Sequence, residues 1–245
     1  MIDTVTFDLW NTLISNQPQD HDRYRQARVE GTGRILLEYG TTFSLDQWSK
    51  AYDEGFERYK QIWKQNSDLS TEEQLKIMLE LLPGEKPKTI SADLMGKLIE
   101  AYTIPLLLYP PPMMEGAGKT LKQIKNEKYK LGLICNTGRT PGKTIRILLE
   151  QMGMMNSFDV ITFSDEFRIR KPDPRIFHHT LAQLKSLPRE SLHVGDVVEL
   201  DVLGAKNAGM YSVHFNPNDT PHEGIVPDFT IRHMNELKGI LDELK

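Results

Sequence analysis

The chain of 245 residues lacks the features that define several protein classes. Its single cysteine, Cys135, excludes an intrachain disulfide and any cysteine-based zinc site. No apolar run approaches the roughly 20 residues that span a bilayer. A formal charge of −4 gives no electrostatic reason to expect nucleic acid or an anionic membrane as a partner. The N-terminus has no basic stretch before an apolar one, so we expect no secretory signal and a cytoplasmic protein.

Apolar segments that each end in a turn signal predict five β-strands. They are Thr4–Leu9, Leu131–Asn136, Val160–Phe163, Leu192–Val194 and Tyr211–Phe215. Helical spacing of apolar residues predicts helices at Met114–Asn126, Pro141–Met152, Pro174–Leu187 and Asp201–Ala208, and a last strand and helix at Asp228–Ile231 and Met234–Leu244. Alternating strands and helices are typical of βαβ units, so we predict an α/β fold with a Rossmann-like parallel sheet.

About 100 residues separate the first predicted strand from the helix before the second, far more than the roughly 2–6 residues of a usual βα loop. Helical patterns occupy this segment at Asp20–Leu37, Leu45–Lys64, Thr71–Leu82 and Ser91–Tyr102. Ser70 and Glu73 have the spacing of a helix capping box. Prolines at 105 and 110–112 mark the return of the chain. We predict an inserted helical cap of residues 15–105, with residues 1–14 and 106–245 forming the core.

Two groups of residues in the insert leave alternatives open. An aromatic stripe at about one-turn spacing is more consistent with the interior of the insert than with a substrate pocket; its members are Trp48, Tyr52, Phe56, Tyr59 and Trp63. The first cap helix carries Arg23, Tyr24 and Arg28. They either select the substrate or lie on the solvated surface. The second interpretation is favoured because arginine side chains are mostly exposed in folded proteins.

Polar residues follow the predicted strands in four places. Asp8 ends the first strand, Cys135 to Gly138 end the second, Lys171 precedes a helix within Arg168-Ile-Arg170-Lys-Pro-Asp-Pro, and Asp196 and Asp201 follow the fourth strand. The carboxyl ends of parallel strands meet at one edge of a sheet, so we expect an acidic cluster with Lys171 beside it. Arg168 and Arg170 either attract anions at its mouth or are simply exposed.

We expect this cluster to bind a metal ion and a phosphoryl group. Crowded carboxylates repel one another and need a counter-charge, and hard oxygen ligands that leave room for water and phosphate suit Mg²⁺. The ion would hold a phosphoryl oxygen in line with Asp8. Lys171 would add a fixed positive charge, and the backbone amides of Asn136, Thr137 and Gly138 can donate to phosphate oxygens.

The four groups, in this order, resemble the motifs of the haloacid-dehalogenase-like (HAD) hydrolase superfamily along the whole chain. Asp8 to Thr12 resembles motif I, Cys135-Asn136 motif II, Lys171-Pro172 motif III, and Gly195-Asp196 through Asp201 motif IV. The insertion resembles the type C1 helical cap of subfamily I. The resemblance implies that Asp8 is the nucleophile, with Lys171 and Asn136 as catalytic partners. It implies Mg²⁺ bound by Asp8, Asp196 and the backbone carbonyl of Trp10, with Asp201 in support. We expect Thr12, Cys135, Thr137, Gly138 and Trp10 next to the substrate and its phosphate.

Two positions depart from the family pattern. Most phosphatases of the family carry a second aspartate, the general acid and base, where this chain has Trp10; an indole N–H cannot do that work. The loss is worth roughly 10²–10⁴-fold in rate. A serine or threonine usually stands where this chain has Cys135, and a thiol is a weaker donor. Asn136 or Thr137 takes over that bond, or Cys135 is a buried structural residue.

Three functions fit these residues. The first is a Mg²⁺-dependent phosphatase that acts on a small phosphorylated metabolite and prefers acidic leaving groups. The second is hydrolysis of a carbon–halogen or carbon–phosphorus bond, because haloacid dehalogenases use the same nucleophile and have an aromatic residue at the Trp10 position. Those dehalogenases need no metal and lack the Gly195-Asp196 pair. The third is a binding or regulatory protein with little turnover. The sequence does not predict the oligomeric state.

Overall fold

A parallel β-sheet forms the centre of the protein, in a computed structural model that describes residues 1–83 and 90–245. Its order is β3-β2-β1-β4-β5-β6, and each neighbouring pair is parallel. The strands are β1 (Thr4–Phe7), β2 (Lys130–Cys135), β3 (Val160–Phe163), β4 (Ser191–Gly195), β5 (Tyr211–Phe215) and β6 (Phe229–Ile231). β1 is buried along its whole length because helices cover both faces of the sheet. The predicted α/β fold is therefore confirmed.

Helices connect the strands and fill the first crossover. The crossover contains α1 (Pro18–Glu38), α2 (Leu45–Trp63), α3 (Thr71–Glu80), α4 (Ala92–Thr103), α5 (Pro105–Leu108) and α6 (Ala117–Asn126). The later helices are α7 (Gly142–Gln151), α8 (Ser164–Phe167), α9 (Pro174–Leu184), α10 (Leu203–Asn207) and α11 (Leu237–Glu243). Within the two described ranges, no helix is long and apolar enough to cross a membrane.

Several predicted boundaries move because of local backbone geometry. β1 ends at Phe7 instead of Leu9, because the carbonyl of Leu9 accepts from two later amides in a turn. That turn needs a left-handed residue, and Asn11 supplies it with φ 55°. The helix predicted from Asp201 begins instead as a π-helical turn at Val198–Val202 that continues into α10. The last predicted helix is split into a 3₁₀ turn at Met234–Glu236 and α11.

The helices of the insert have their own hydrophobic cluster. Helices α1 to α4 pack around a group that includes the fully buried Trp48, Tyr52, Tyr59 and Tyr102. Separate clusters cover the two faces of the sheet, and Tyr24 of α1 belongs to one of these. We propose that the α1–α4 cluster is the interior of a cap domain. The capping box at the start of α3 is present, since Ser70 and Glu73 each accept the backbone N–H of the other.

Candidate active site

The order of the strands brings the predicted site residues to one edge of the sheet. β1 lies between β2 and β4, and the chain leaves the carboxyl ends of these three strands at Asp8, Asn136 and Asp196. Open α/β sheets bind ligands in the crevice where the strand order reverses, and β1 stands at that point here. The topology therefore gathers side chains that are far apart in the sequence.

Lys171 joins two of the three aspartates. Its Nζ donates to Asp8 Oδ1 at 2.5 Å and to Asp201 Oδ1 at 2.6 Å. The lysine side chain is 1% exposed, and the two carboxylates are 7% and 2% exposed. Ionised groups this deeply buried persist only when they are paired. The fixed positive charge thus lies directly against the candidate nucleophile.

Asp196 completes a cluster with more negative than positive charge. Asp8, Asp196 and Asp201 each offer a carboxylate oxygen, and these oxygens lie within 4.8 Å of one another. Burial, together with the carboxylates of Asp8 and Asp201, raises the pKa of Asp196 to about 8, although Lys171 opposes the shift. Burial likewise raises the pKa of Asp8 to about 6, although Lys171 opposes the shift. Hard oxygens with an uncompensated negative charge fit a divalent cation, which would stabilise the ionised forms.

Asp201 is held in its ionised form by its neighbours. Burial alone would raise its pKa, but the ammonium of Lys171 and the N–H of His193 hold that pKa below its usual value. His193 Nε2 lies 3.2 Å from Asp201 Oδ1, and Thr6 Oγ1 lies 2.8 Å from His193 Nδ1. Burial lowers the pKa of His193. A neutral imidazole that donates from Nε2 therefore accepts the Thr6 hydroxyl at Nδ1.

A glycine is required beside Asp201. A Cβ at Gly195 would lie 2.2 Å from Asp201 Cγ, far inside van der Waals contact. The Val197 amide donates to Asp201 Oδ2 at 3.0 Å, which fixes the second oxygen of the same carboxylate. The Gly195-Asp196 pair thus has two purposes, because the glycine admits one aspartate and the next residue adds another.

The Asn136 side chain forms two hydrogen bonds with the backbone of Lys171. Its Nδ2 donates to the Lys171 carbonyl at 3.1 Å, and its Oδ1 accepts from the Lys171 amide at 2.9 Å. Both polar atoms of the Asn136 carboxamide are therefore hydrogen-bonded to Lys171. We propose that Asn136 acts by positioning Lys171.

The other predicted phosphate contacts have varied surroundings. The Thr137 amide already donates to Ser164 Oγ at 3.0 Å, and the Gly138 carbonyl accepts from Gln74 Nε2 at 2.9 Å. Cys135 is fully buried, and burial raises the pKa of its thiol, which suits a structural residue. Thr12 Oγ1 is buried and has no hydrogen-bond partner among the described residues, and its predicted contact with the substrate stays a prediction.

Asp68, which sequence reasoning missed, ties the insert to the core. Its Oδ2 accepts from Arg170 Nη1 at 2.6 Å and from Ser164 Oγ at 2.5 Å, and its Oδ1 accepts from Trp63 Nε1 at 3.0 Å. The Asp68 side chain is 0% exposed. An antiparallel backbone bridge joins Ser67 to Ile169, the residue before Arg170. Arg170 directly precedes Lys171, so the insert is bound to the loop that carries the lysine.

Arg168 and Arg170 therefore differ in their surroundings, although the same two interpretations applied to both. Arg170 is buried and paired with Asp68, whereas Arg168 is exposed and donates to Glu73 at 2.6 Å. Both guanidinium groups bind the insert through a carboxylate. Neither interpretation from the sequence included this arrangement.

A cavity of about 280 Å³ lies beside the site, between the insert and the core. Trp10, Asn136, Thr137 and Gly138 line it from the ends of β1 and β2. Phe56 and Trp63 of the aromatic stripe line it from the insert, while Trp48, Tyr52 and Tyr59 are fully buried in the insert. Arg28 and Tyr24 of α1 also line the cavity and are buried, whereas Arg23 is exposed. The stripe is thus divided between the interior of the insert and the cavity, and of the three α1 residues only Arg23 is exposed; a role in substrate binding stays a prediction.

The fold and the site are those of an α/β protein with an acid-rich centre at the carboxyl edge of a parallel sheet. A family model described as haloacid dehalogenase-like hydrolase matches residues 2–209. The chain therefore belongs to the haloacid dehalogenase-like hydrolase family, and it is an enzyme of that family.

Relatives with named activities align with all or part of the chain. A glyceraldehyde 3-phosphate phosphatase of Methanopyrus kandleri is 26% identical over 253 aligned positions that cover 100% of this chain and 99% of the relative. A pyrimidine 5'-nucleotidase of Escherichia coli is 34% identical over 60% of this chain and 64% of its own length. The chain is thus similar to phosphatases with different substrates.

Solved structures show the same fold. A 2-haloacid dehalogenase from Pseudomonas syringae pv. Tomato DC3000 superimposes with a TM-score of 0.75 at 20% identity over 100% of both chains. A HAD phosphatase from Thermococcus onnurineus gives a TM-score of 0.66 at 23% identity over 98% of both chains. Since the two neighbours differ in named activity, the fold alone does not choose between the reactions.

The Asp68–Arg170 pair gives a stability prediction. Asp68→Asn removes the charge that faces a buried guanidinium, so we expect the free energy of unfolding to fall by about 3 kcal/mol. Arg168→Gln breaks the exposed neighbouring pair and should cost about 0–1 kcal/mol. Urea denaturation of both variants measures the difference. Equal, small losses would show that Asp68 does not anchor the insert.

Proposed function

We propose that the protein is a Mg²⁺-dependent phosphatase that hydrolyses a small phosphorylated metabolite through an aspartyl-phosphate at Asp8. One observation carries this proposal: Lys171 Nζ binds both Asp8 and Asp201, with Asp196 in the same cluster. The arrangement offers a nucleophile, a fixed positive charge and a set of oxygen ligands at one place. The named phosphatase activities of the relatives agree with it.

The chain's own residues divide the work. Asp8, Asp196 and the Trp10 backbone carbonyl would hold Mg²⁺, which supplies charge neutralisation and a contact for one phosphoryl oxygen when it is bound. Asp201 accepts from Lys171 and so keeps the ammonium beside Asp8. Lys171 then stabilises the negative charge that builds up on the transferred phosphoryl group.

The reaction has two displacement steps. An Asp8 carboxylate oxygen attacks phosphorus, the bond from phosphorus to the leaving oxygen breaks, and the leaving group departs with the electron pair. Water then attacks phosphorus of the aspartyl-phosphate, which releases inorganic phosphate and restores Asp8. Trp10 can neither protonate the leaving oxygen nor activate the water. Substrates whose leaving group is a stable anion, such as aryl or acyl phosphates, are therefore favoured.

A carbon–halogen hydrolase is the second candidate, and Trp10 is the observation that favours it. The indole lines the cavity beside the nucleophile's strand, where a halide would leave without needing a proton. Asp196 argues against this candidate, because a third carboxylate beside Asp8 adds repulsion that a bound cation would relieve. The phosphatase accounts for Asp196 and is compatible with Trp10 for substrates with acidic leaving groups, whereas the dehalogenase leaves Asp196 without a role.

An assay of the purified protein separates the two candidates. We expect Mg²⁺-dependent release of phosphate from para-nitrophenyl phosphate, loss of that release in EDTA, and its abolition by Asp8→Asn. Parallel samples contain 2-chloropropionate, and chloride is measured. Chloride release that is insensitive to EDTA, without phosphate release from the aryl ester, would replace the phosphatase by the dehalogenase.

The missing acid gives a prediction of its own. Trp10→Asp restores a carboxyl group at the position from which the family protonates leaving groups, so hydrolysis of an alkyl phosphate should rise by roughly 10²-fold or more. Hydrolysis of the aryl phosphate should rise less, because its leaving group needs little protonation. Trp10→Phe, which opens space without adding an acid, is the control. A rise of the same size in both variants would mean that access, and not proton transfer, limits the enzyme.

A further inference from the structure

Arg28 of α1 is a buried cation without a carboxylate partner. It is 5% exposed. Its Nε donates to the Tyr102 carbonyl at 2.9 Å, and its Nη2 donates to Thr140 Oγ1 at 2.7 Å. The guanidinium also lies 5.1 Å from the centre of the Tyr102 ring. These partners are neutral, and across residues 1–83 and 90–245 the arginine forms no ion pair.

Arg139 is half-buried, and among the described residues it likewise has only neutral partners. It lies in the loop after β2, and its Nη1 donates to Tyr52 Oη at 2.6 Å. Its guanidinium lies 3.7 Å from the centre of the Phe56 ring. Within the part of the chain that the structure describes, Arg139 also has no carboxylate in ion-pair contact.

The contrast with the other buried cations is informative. Lys171 and Arg170 are each paired with aspartate at 2.6 Å or less. A buried charge that faces only neutral groups is costly, so Arg28 needs another source of negative charge, and the half-buried Arg139 is free to bind the same group. A guanidinium also has more N–H groups than these two arginines use, and its planar fork matches a carboxylate.

Both arginines line the cavity that Trp10 and Asn136 also line. The described residues around this cavity include no aspartate or glutamate. Its volume of about 280 Å³ is at the small end of the range for ligand sites. Arg28 borders the cavity from the insert and Arg139 borders it from the core, so the two cations flank the same space. The cavity is therefore suited to a small anionic group.

We propose that the substrate is a small phosphorylated carboxylic acid whose carboxylate binds Arg28 and Arg139 while its phosphoryl group faces Asp8. The placement of the phosphoryl group rests on the proposed phosphatase function. The carboxylate would supply the charge that the two guanidinium groups lack and form paired hydrogen bonds with them. Lys171 and the aspartate cluster are then left to the phosphoryl group. The cavity thereby selects acids over neutral phosphate esters of the same size.

Equilibrium binding to the Asp8→Asn variant tests this proposal without turnover. The probes are 3-phosphoglycerate and glycerol 3-phosphate, which share a skeleton and differ at the carboxylate. Titration calorimetry with Mg²⁺ present should show at least about tenfold tighter binding of 3-phosphoglycerate. Adding Arg28→Gln or Arg139→Gln should remove most of that preference. Arg168→Gln, an exposed arginine paired with Glu73, should leave it intact.

Several outcomes would overturn the proposal. They are equal affinity for the two probes, binding of neither, or a preference that survives both Arg28→Gln and Arg139→Gln. If Arg28→Gln fails to fold because it loses its bonds to Tyr102 and Thr140, Arg139→Gln carries the test. Phosphate release by the wild-type enzyme from para-nitrophenyl phosphate is measured in parallel. Release without a carboxylate preference refutes this inference and leaves the phosphatase standing. A carboxylate preference without any release supports the anion site and refutes the phosphatase.

Discussion

The bond from the Lys171 ammonium to the carboxylates of Asp8 and Asp201 is the interaction on which the site depends. A lysine buried to this degree is stable as a cation only because two carboxylates face it. Each neighbouring feature keeps one member of that group in place. Gly195 admits Asp201, His193 and the Val197 amide bind its oxygens, and Asn136 holds the backbone of the lysine. Asp8, the candidate nucleophile, is thus one end of a continuous polar network within an apolar sheet.

The same network extends into the insert through Arg170. Because Arg170 precedes Lys171 and is paired with Asp68, the position of the insert and the position of the lysine are linked by adjacent residues. The Gln74 bond to the Gly138 carbonyl adds a second tie, at the end of β2. Residues of the insert and of the core also line together the cavity beside Trp10, where Arg28 and Arg139 lie without a carboxylate partner in the described part of the chain. The geometry of the cavity and the electrostatics of the nucleophile therefore have a common structural origin.

Much of the fold is predictable from the sequence, because buried parallel strands and amphipathic helices leave local patterns. The strand ends are also visible, since each has a polar residue directly after an apolar run, and parallel topology alone brings Asp8 and Asp196 together. The partners of these residues leave no such signal. Asp68 and Arg170 are 102 positions apart and pair only through the docking of the insert. His193 stands within an apolar strand, and Arg28 has the spacing of an ordinary surface residue.

In the proposed reaction, Asp8 takes the phosphoryl group and Trp10 leaves the second step without a base. The aspartyl-phosphate should then form faster than it is hydrolysed and accumulate during turnover of an aryl phosphate. Acid quenching during turnover, followed by mass spectrometry of the peptide that contains Asp8, measures this directly. We expect a phosphoryl group on Asp8 in most enzyme molecules at steady state. Sustained phosphate release with Asp8 unmodified at every quench time would contradict it.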